Sequence, residues 1–342
     1  MNSVQLLNTA FTVPPATFRL LSQTTQTRVF VGTTASINGN LSLFELKQFN
    51  LAIIDEASQI LEPNIIGILS EKREGTPVVK KFVMIGDHKQ LPAIVQQHDE
   101  ESKTDSKILN EIYLKDCSLS MFERLLRKYC NNPEVTYMLT KQGRMHSQIA
   151  EFPNIQFYNN KLDIVPLPHQ TEDIDKYNSD NTLPNILSSH RVIFFAAQNS
   201  FSNSNNKVNK VEAEIIADLI YNIYINDVNN FDANKTVGVI VPYRNQIATI
   251  KHTLQCRYPE LNLDEITIDT VERFQGSQRD CIIYGLTIQE RFQLNFLTEN
   301  SFIEEGKIID RKLNVAMTRA IRSFSWIVQE NAKGLAWQSL VC

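Results

Sequence analysis

The chain has 342 residues, of which 42% are hydrophobic, so it is long enough for about two domains that each bury a core. Its net charge is −4, which means that any affinity for nucleic acid must come from local basic patches and not from an overall positive field. No apolar run approaches the roughly 18 residues of a membrane span, and the five scattered cysteines lack the paired spacing of a metal site. We therefore expect a cytoplasmic protein with reduced thiols.

Two apolar runs in the first third of the chain end abruptly in polar residues: 51–59, which contains Asp55 and Glu56, and 82–93. Such runs are typical of buried parallel strands that present functional groups at the carboxyl edge of an open sheet. Carboxylates at this place suit an NTPase, because one can hold Mg²⁺ through water while its neighbour polarises the attacking water. A helix over 118–130 and a strand over 135–139 follow, so the pattern predicts an α/β unit.

The usual partner of such an acidic pair is missing from the sequence. A glycine-rich phosphate loop (Walker A) that ends in Gly-Lys-Ser/Thr should precede the pair, and residues 1–55 contain no such loop. Its backbone amides and lysine would hold the β- and γ-phosphates. The sequence thus carries most of an ATPase without its phosphate cradle.

A second series of alternating strands and helices predicts another α/β unit. The predicted helix covers 210–224, and the predicted strands are 192–196, 236–241, 266–270, 281–284 and 324–328. Polar stretches are predicted to be surface loops at 98–105, 165–189 and 199–206. We place the domain boundary near Thr140, which gives a first domain over 1–139 and a second over 140–342.

Arginines of the second unit stand in unusual contexts. Arg144 follows an apolar strand at the start of the unit, Arg244 follows a strand at 236–241, and Arg319 lies in the run 313–320 near its end. Each context is weak by itself, because an arginine at a strand end is usually part of a structural ion pair. Taken together in this order, after the two strands that end in polar residues, the three arginine contexts form a pattern that is specific enough to indicate a protein family.

The ordered set resembles the motifs of superfamily 1 helicases, and within them the branch that includes the nonsense-mediated-decay helicase and senataxin. Residues 55–59 look like motif II of that family, and residues 86–92 look like motif III. The later motifs of the family resemble residues 142–162, 241–246, 270–280 and 313–320. The resemblance extends from roughly Val31 to Val328.

The resemblance implies an α/β fold with two RecA-like parallel-sheet domains of the P-loop NTPase type, the first incomplete at its N-terminus. It implies that ATP binds in the cleft between the domains, that Asp55 holds Mg²⁺, and that Glu56 activates water. Arg144 and Arg319 are expected to reach the γ-phosphate, and Gln90 to sense it. The other nucleotide contacts that the resemblance implies are Gln142, Arg244, Gly276 and Gln278.

Single-stranded nucleic acid is the partner that the resemblance implies. Thr33 and Thr34 resemble contacts of the family's first domain, and Thr270 resembles those of its second domain. Hydroxyls and backbone amides of this kind suit phosphate contacts that carry no sequence information. The motifs leave open whether the strand is DNA or RNA. Translocation from 5′ to 3′ is expected by resemblance alone.

Several of these residues have a second interpretation that the sequence leaves open. Asp55 and Glu56 could be a vestigial pair that only caps the sheet edge. Lys89 is interpreted as a solvated charge, while Tyr243 and Phe274 could either stack on bases or be buried. Solvent exposure or an ion pair is the default interpretation for Arg273, Arg279 and Arg322.

Two positions of the second unit depart from the family pattern. Gln278 stands where a glutamate is expected, which puts that nucleotide contact in doubt. Gly143 stands where relatives can carry a tyrosine that packs on the adenine. Arg244 could supply that stacking surface instead.

Without the strand that leads into the phosphate loop, the first domain would have a gap in its sheet. The simplest interpretation is the C-terminal part of a longer helicase, and the next is a split protein with the phosphate loop on a separate chain. Three functions remain open. They are an ATP-dependent helicase or translocase that needs the missing segment or partner, a nucleotide-independent nucleic-acid-binding module, and an interaction protein built on a decayed motor. No clustered set of acidic and lysine residues outside the motor motifs supports a nuclease.

Overall fold

The computed structural model describes residues 4–7, 27–173, 182–197, 207–261, 265–290 and 292–329. The chain divides into two compact units at Tyr137 and Met138, next to the position near Thr140 that the sequence suggests. Lys89–Leu91 belong to the second unit, although the residues on either side of them belong to the first. Within the described ranges, no helix combines the length and the apolar character needed to cross a membrane.

The first unit is built from short strands and helices. Its strands are β1 Val4–Leu7, β2 Val29–Gly32, β3 Ala52–Ile54, β4 Lys72–Arg73, β5 Thr76–Pro77 and β6 Phe82–Met84. Its α-helices are α1 Thr34–Asn38, α2 Leu43–Leu46, α3 Glu62–Ser70, α4 Asp99–Ser102, α5 Lys107–Glu111 and α6 Met121–Tyr129, and a 3₁₀ turn covers Ala57–Gln59. Strands β3 and β6 lie in the apolar runs 51–59 and 82–93, and α6 lies within the helix predicted at 118–130.

A small apolar core holds the first unit together, with side chains from β3, α3 and α6 that include Ile54, Ile65 and Met121. The buried Arg124 of α6 forms a two-pronged ion pair with Glu62 of α3, at 2.7 Å from Nε and 2.6 Å from Nη2. Such a planar fork satisfies both charges, which makes burial of the pair tolerable.

The sheet of the first unit is small. Strand β3 pairs with β6 in parallel, with Ala52 opposite Phe82, while β1 pairs with β2 in a separate parallel sheet. Ile53 is 66% exposed, and its neighbour across the ladder, Val83, is exposed as well. An apolar side chain in the middle of a parallel strand is normally covered on both faces. The described residues therefore leave apolar strand surface uncovered beside the acidic motif.

The second unit is a complete layered α/β domain. Its strands are β7 Lys141–Gln142, β8 Asp163–Ile164, β9 Val192–Ala197, β10 Val237–Ile240, β11 Thr267–Asp269, β12 Arg279–Gly285, β13 Ser301–Glu304, β14 Lys307–Asp310 and β15 Ala320–Gln329. Its helices are α7 Ser147–Phe157, α8 Pro168–Thr171, α9 Leu183–Ser189, α10 Lys210–Asn226, α11 Arg244–Arg257, α12 Val271–Phe274, α13 Gln293–Leu297 and α14 Arg311–Thr318.

Five strands of the second unit form one parallel sheet in the order β11-β10-β12-β15-β9. The interior strand β10 is buried along its whole length, because its residues Val237–Ile240 meet core side chains on both faces. Helix α10 covers one face with Ile216, Leu219 and Ile220, all fully buried. The predicted α/β class with a parallel sheet is confirmed.

Some predicted elements differ from the structure. The strand predicted over 135–139 is wrong: Tyr137 and Leu139 are exposed and the segment pairs with no described strand. The loops predicted at 98–105 and 165–189 contain the short helices α4, α8 and α9. The loop predicted at 199–206 lies outside the described residues. Short helices of four to seven residues leave little periodicity for sequence patterns to reveal.

Close packing around β10 gives a stability prediction for Gly238→Ala. A Cβ at this position would lie 2.7 Å from Cε1 of Phe274 and 2.8 Å from Cγ of Arg279. Overpacking of this kind should lower the free energy of unfolding of the second unit by about 1–3 kcal/mol. Urea denaturation followed by tryptophan fluorescence measures it, since Trp326 lies in β15.

Gly143→Ala is the matched control for this experiment. A Cβ there meets only the Leu167 side chain, at the ordinary contact distance of 3.7 Å, so the unfolding midpoint should stay within error of the wild type. Equal midpoints for Gly238→Ala and Gly143→Ala would contradict the packing described for β10.

Candidate nucleotide and nucleic-acid sites

The acidic pair of the first unit stands at the carboxyl end of β3. Asp55 and Glu56 are both exposed, and Oδ1 of Asp55 accepts a hydrogen bond from the backbone N–H of Glu56 at 2.9 Å. Glu56 adopts a left-handed conformation with φ of 50°, and its Oε2 accepts from Nε2 of Gln59 at 2.6 Å. A left-handed non-glycine residue is uncommon and costs free energy, so the turn fixes the direction of both carboxylates.

The turn after β6 packs on the turn after β3. A Cβ on Gly86 would lie 2.9 Å from the backbone nitrogen of Ser58, so only glycine permits this approach. The backbone N–H of Asp87 donates to Oγ of Ser58 at 3.3 Å. The structure thus brings the motif II and motif III turns together within the first unit.

The donor chemistry of the first unit suits Mg²⁺. No group of three or more His, Cys, Asp or Glu side chains able to hold a metal occurs among the described residues. A nucleotide-bound Mg²⁺ needs only one or two protein carboxylates, such as Asp55 and its neighbour Glu56, because phosphates and water supply its other ligands. Asp55 therefore fits the predicted metal contact.

Thr33 and Thr34 lie at the start of α1. Thr33 is exposed, and its Oγ1 accepts from the backbone N–H of Ser36 at 3.1 Å, so the hydroxyl caps the helix. Thr34 is the first residue of the helix. The structure places both threonines at one helix start and leaves the Thr33 side chain facing solvent.

Gln90 and Arg319 meet inside the second unit. The Arg319 side chain is nearly buried, with 3% of its surface exposed. Its Nη2 donates to Oε1 of Gln90 at 3.2 Å and to Oγ1 of Thr318 at 3.1 Å, and its Nε donates to the Val315 carbonyl at 3.2 Å. These oxygens satisfy part of a charge that would be costly to bury alone.

Arg144 approaches the same helix end from the other side of Thr318. Its Nη1 donates to the Thr318 carbonyl at 3.0 Å, and its Nε donates to Oε1 of Gln278 at 2.9 Å. The turn that carries Arg144 is held by Gln142, whose Oε1 accepts from the N–H groups of Arg144 (3.0 Å) and Met145 (2.8 Å). Five predicted site residues therefore form one connected cluster: Gln90, Gln142, Arg144, Gln278 and Arg319.

A glutamine at position 278 has a clear electrostatic consequence. Its neutral amide orients Arg144 by a hydrogen bond without compensating the charge of the guanidinium. A glutamate there would form an ion pair that competes with an incoming phosphate. The departure from the family pattern leaves Arg144 more attractive to an anion.

A cavity of about 510 Å³ opens beside Arg144. It is lined by Gly143, Arg144, His169, Gln278, Asp280, Ile321 and Arg322. The Nε2–H of His169 donates to the Arg144 carbonyl at 3.1 Å. Burial raises the pKa of Asp280, and the nearby Arg322 opposes this shift. Sequence reasoning missed His169 and Asp280, although Asp280 ends the run 270–280 that resembles a family motif.

Arg244 and Thr270 lie at the opposite edge of the sheet. Arg144, Gln278 and Arg319 meet near the amino end of β12, whereas Arg244 follows the carboxyl end of β10 and Thr270 that of β11. The structure does not bring Arg244 to the cluster around Arg144 or to the cavity next to Gly143. Gly276, with a φ of 79°, forms the turn that leads into Gln278.

The interpretation of Lys89 as a solvated charge is wrong. Its side chain is 11% exposed, its Nζ donates to the Phe157 carbonyl at 2.8 Å, and it pairs with Glu304. Nδ2 of Asn314 donates to the Lys89 carbonyl at 2.8 Å. These contacts anchor the backbone that carries Gln90 to α7, the β13–β14 hairpin and α14.

For the other residues with two interpretations from the sequence, the structure gives a different outcome at each position. Phe274 is fully buried, while Tyr243 is half-buried and stacks on Phe296. Arg322 pairs with Glu172 at 2.6 Å, as the default interpretation expects. Arg279 donates to Thr267, and Arg273 is exposed.

A buried carboxyl organises the carboxyl edge of the sheet. Glu212 of α10 accepts from the N–H of Thr287 at 2.8 Å, from its hydroxyl at 2.8 Å, and from Nε2 of Gln246 at 3.1 Å. Gly285 gives it room, since a Cβ there would lie 2.7 Å from Oε1. Burial raises the pKa of Glu212 to about 7. Sequence reasoning missed this residue, although the spacing to Ile216 and Leu219 places it on the apolar face of α10.

Comparison with known proteins is consistent with these motifs. The family model AAA_12, an AAA domain, matches residues 117–331, which is more than half of the chain, and AAA_11, also an AAA domain, matches residues 19–98. An ATP-dependent helicase of Methanocaldococcus jannaschii is 30% identical over 298 residues, 83% of this chain and 36% of that protein. DNA polymerase alpha-associated DNA helicase A of Saccharomyces cerevisiae is 29% identical over 80% of this chain and 37% of that protein. Helicase sen1 of Schizosaccharomyces pombe is 28% identical over 80% of this chain and 14% of that protein.

The ordered motifs and the parallel sheet that carries them define the class as a superfamily 1 helicase fold. Within this class the chain belongs to the AAA-domain family of AAA_12, in the Upf1-like branch. The chain spans between 14% and 37% of the length of the three relatives described above.

The buried Glu212 makes the stability of the second unit depend on pH. Its pKa of about 7 in the folded state is above the ordinary 4.5, so the folded state binds this proton more tightly than the unfolded state does. The resulting stabilisation is complete below the ordinary value and is lost as pH rises through about 7, with a size on the order of 3 kcal/mol. Glu212→Gln should remove most of the loss of stability between about pH 6 and 7, as measured by urea denaturation from about pH 4 to pH 8.

Asp310→Asn is the matched control, because burial also raises the pKa of Asp310, to about 6. Loss of stability between about pH 6 and 7 should persist in this variant and vanish in Glu212→Gln. An unchanged slope in Glu212→Gln would contradict the assignment of the raised pKa to this carboxyl.

Proposed function

We propose that the chain is the motor part of an ATP-dependent helicase or translocase that acts on single-stranded nucleic acid. ATP and Mg²⁺ are its cofactors, and a phosphate loop supplied by another segment or chain completes its nucleotide site. One observation carries the proposal: Arg144 and Arg319 both donate hydrogen bonds to Thr318 of the second unit, and Arg319 also donates to Gln90. A polar side chain and two guanidinium groups held together in this way suit the terminal phosphate of a nucleotide.

The two arginines differ in accessibility, and this suggests different roles. Arg319 is nearly buried, and its Nη2 group donates hydrogen bonds to Gln90 and Thr318. It therefore suits the role of a sensor whose hydrogen bonds change when a phosphate binds. Arg144 lines the cavity beside Gln278 and fits the residue that contacts the γ-phosphate directly. Cationic contacts of this type stabilise the charge of a phosphoryl-transfer transition state by about 10³- to 10⁵-fold in rate.

The first unit would supply the hydrolytic carboxylates. Asp55 would hold Mg²⁺, and the ion would neutralise charge on the β- and γ-phosphates. Glu56 would polarise the attacking water, and its bond from Gln59 keeps one carboxylate oxygen in a fixed position. Gln142, Gly276 and Gln278 would act on the nucleotide indirectly, because they shape the turns around Arg144.

A phosphate loop is the part that the chain lacks. Residues 1–55 contain no Gly-Lys-Ser/Thr sequence, and backbone amides of such a loop normally bind the β-phosphate. The exposed faces of Ile53 and Val83 beside the acidic turn support a further strand and helix at this place. The donor would be another segment of the same protein or a separate polypeptide.

Single-stranded DNA or RNA is the proposed polymer substrate. Thr33 faces solvent in the first unit, and Thr270 lies at the carboxyl edge of the second unit's sheet, next to the exposed Arg244. Hydroxyls and one arginine at such positions suit phosphates and carry no sequence preference. Translocation from 5′ to 3′ follows from family membership alone.

A catalytically inactive nucleic-acid-binding module is the alternative. The absence of the phosphate-loop sequence favours it, because the exposed Asp55 and Glu56 then have no bound triphosphate on which to act. In this case strand binding would be indifferent to ATP and unaffected by Glu56→Gln.

Hydrolysis of ATP tests the proposed function. The chain alone should hydrolyse ATP no faster than its Glu56→Gln variant, with or without single-stranded DNA or RNA. Co-expression with an upstream helicase segment that carries a phosphate loop should produce strand-stimulated turnover, because the missing amides then bind the phosphates. Glu56→Gln in the reconstituted protein should abolish that turnover, since it removes the base that polarises water.

Two results would contradict the proposal in different ways. Strand-stimulated turnover by the chain alone, sensitive to Glu56→Gln, would show that it has a phosphate cradle of its own. A folded, reconstituted protein that binds strands but never hydrolyses ATP would favour the inactive module.

A further inference from the structure

Aromatic side chains form an exposed group at the carboxyl edge of the second unit's sheet. Phe292 precedes α13 and is 61% exposed, and Phe296 within α13 is 42% exposed. Phe292 is the N-cap of α13 and stands four residues before Phe296, a spacing that favours the same side of the helix. Tyr243, which precedes α11, stacks on Phe296 with ring centres 5.3 Å apart and an interplanar angle of 19°. We call Tyr243, Phe292 and Phe296 the aromatic platform.

Contacts of Gln293 and Lys312 hold the platform in place. Gln293 is nearly buried, hydrogen-bonds the Tyr243 hydroxyl, and accepts from the N–H groups of Gln289 and Glu290 at 2.7 and 2.8 Å. Nζ of Lys312 lies 4.2 Å from the centre of the Phe296 ring and donates to the Phe296 carbonyl at 2.9 Å. These contacts fix Tyr243 and Phe296 in place and occupy part of the Phe296 ring, while Phe292 stays 61% exposed and Phe296 42% exposed. Rings fixed in advance lose little conformational entropy when a ligand binds.

The surroundings of the platform favour a polyanion with flat, apolar groups. Arg244 follows Tyr243 directly and is exposed, and Thr270 lies at the same sheet edge, after the strand that neighbours β10. Proteins that bind single strands without sequence preference combine cationic or polar phosphate contacts with rings on which bases stack. This edge presents both kinds of group.

We propose that the aromatic platform is a base-stacking site for single-stranded nucleic acid, with Arg244 as its phosphate contact. The inference rests on the proposed function and deepens it, since it assigns base contacts to a surface apart from the Arg144 cluster. Stacking takes place on the exposed parts of Phe292, Phe296 and Tyr243. Because every base has a flat face, the site tolerates all four bases.

Strand binding with and without bases tests this proposal. Fluorescence anisotropy of the full chain would compare a labelled single strand with an abasic strand of equal length and charge. Wild type should bind the strand with bases about 5- to 150-fold more tightly. Phe292→Ala should reduce this preference and leave affinity for the abasic strand unchanged. Tyr243→Ala should also reduce the preference, and Tyr243→Phe should retain it, because the ring and not the hydroxyl carries the stack.

The salt dependence of strand binding distinguishes base stacking from phosphate contacts. Arg244→Ala should reduce the log–log salt slope of strand binding by about 0.7, the value for one phosphate contact on a single strand. Phe292→Ala should leave that slope unchanged. Ile303→Ala is the matched control, since Ile303 is an apolar side chain of the same unit, 75% exposed, in β13 and outside the platform. This variant should bind both strands like the wild type.

The outcomes distinguish this inference from the function on which it rests. Equal affinity of the wild type for both strands, or an unchanged preference in Phe292→Ala, would overturn the platform and leave strand binding intact. No binding of either strand by the folded chain would overturn both. Phe292 is largely exposed, so its replacement removes no core contact, and circular dichroism verifies that each variant is folded.

Discussion

The contact between Arg319 and Gln90 is the interaction on which the arrangement of the second unit depends. A guanidinium group with 3% exposure must be hydrogen-bonded, because an unpaired buried charge costs several kcal/mol. Gln90 reaches it only because Lys89 is anchored by the Phe157 carbonyl and by Asn314. The motif III segment Lys89–Leu91 is thereby a structural part of the second unit, although the residues around it belong to the first.

One parallel sheet separates the two proposed activities. The amino edge carries Arg144, Gln278 and the cavity proposed for the nucleotide, while the carboxyl edge carries Thr270, Arg244 and the aromatic platform. Strand β12 covers Arg279–Gly285 and joins the two edges over roughly 20 Å. Glu212 fixes the far end of this strand through the Thr287 backbone.

Sequence patterns predicted the long, well-buried elements and missed those decided by tertiary contacts. Helix α10 and the central strands follow from apolar periodicity that burial then enforces. Apolar residues over 135–139 do not form a strand, because a strand needs a partner that sequence cannot show. Motif order assigned Arg144, Arg319 and Arg244 to one predicted site; the structure connects Arg144 and Arg319 through Thr318 and places Arg244 at the opposite edge of the sheet. Sequence patterns took Lys89 for a solvated charge, because the burial of one charge depends on atoms far away in the chain.

Nucleotide discrimination tests the central claim that the amino edge of this sheet recognises a terminal phosphate. Affinities for a non-hydrolysable ATP analogue and for ADP would be measured with a fluorescent nucleotide in the chain co-expressed with a phosphate-loop segment, for the wild type, for Arg144→Gln, and for Lys141→Gln as an exposed control in β7. The wild type and Lys141→Gln should prefer the ATP analogue by roughly 10- to 100-fold, the size expected for a charged hydrogen bond. Arg144→Gln should lose that preference. Equal affinities in the wild type, or a preference kept in Arg144→Gln, would contradict the account.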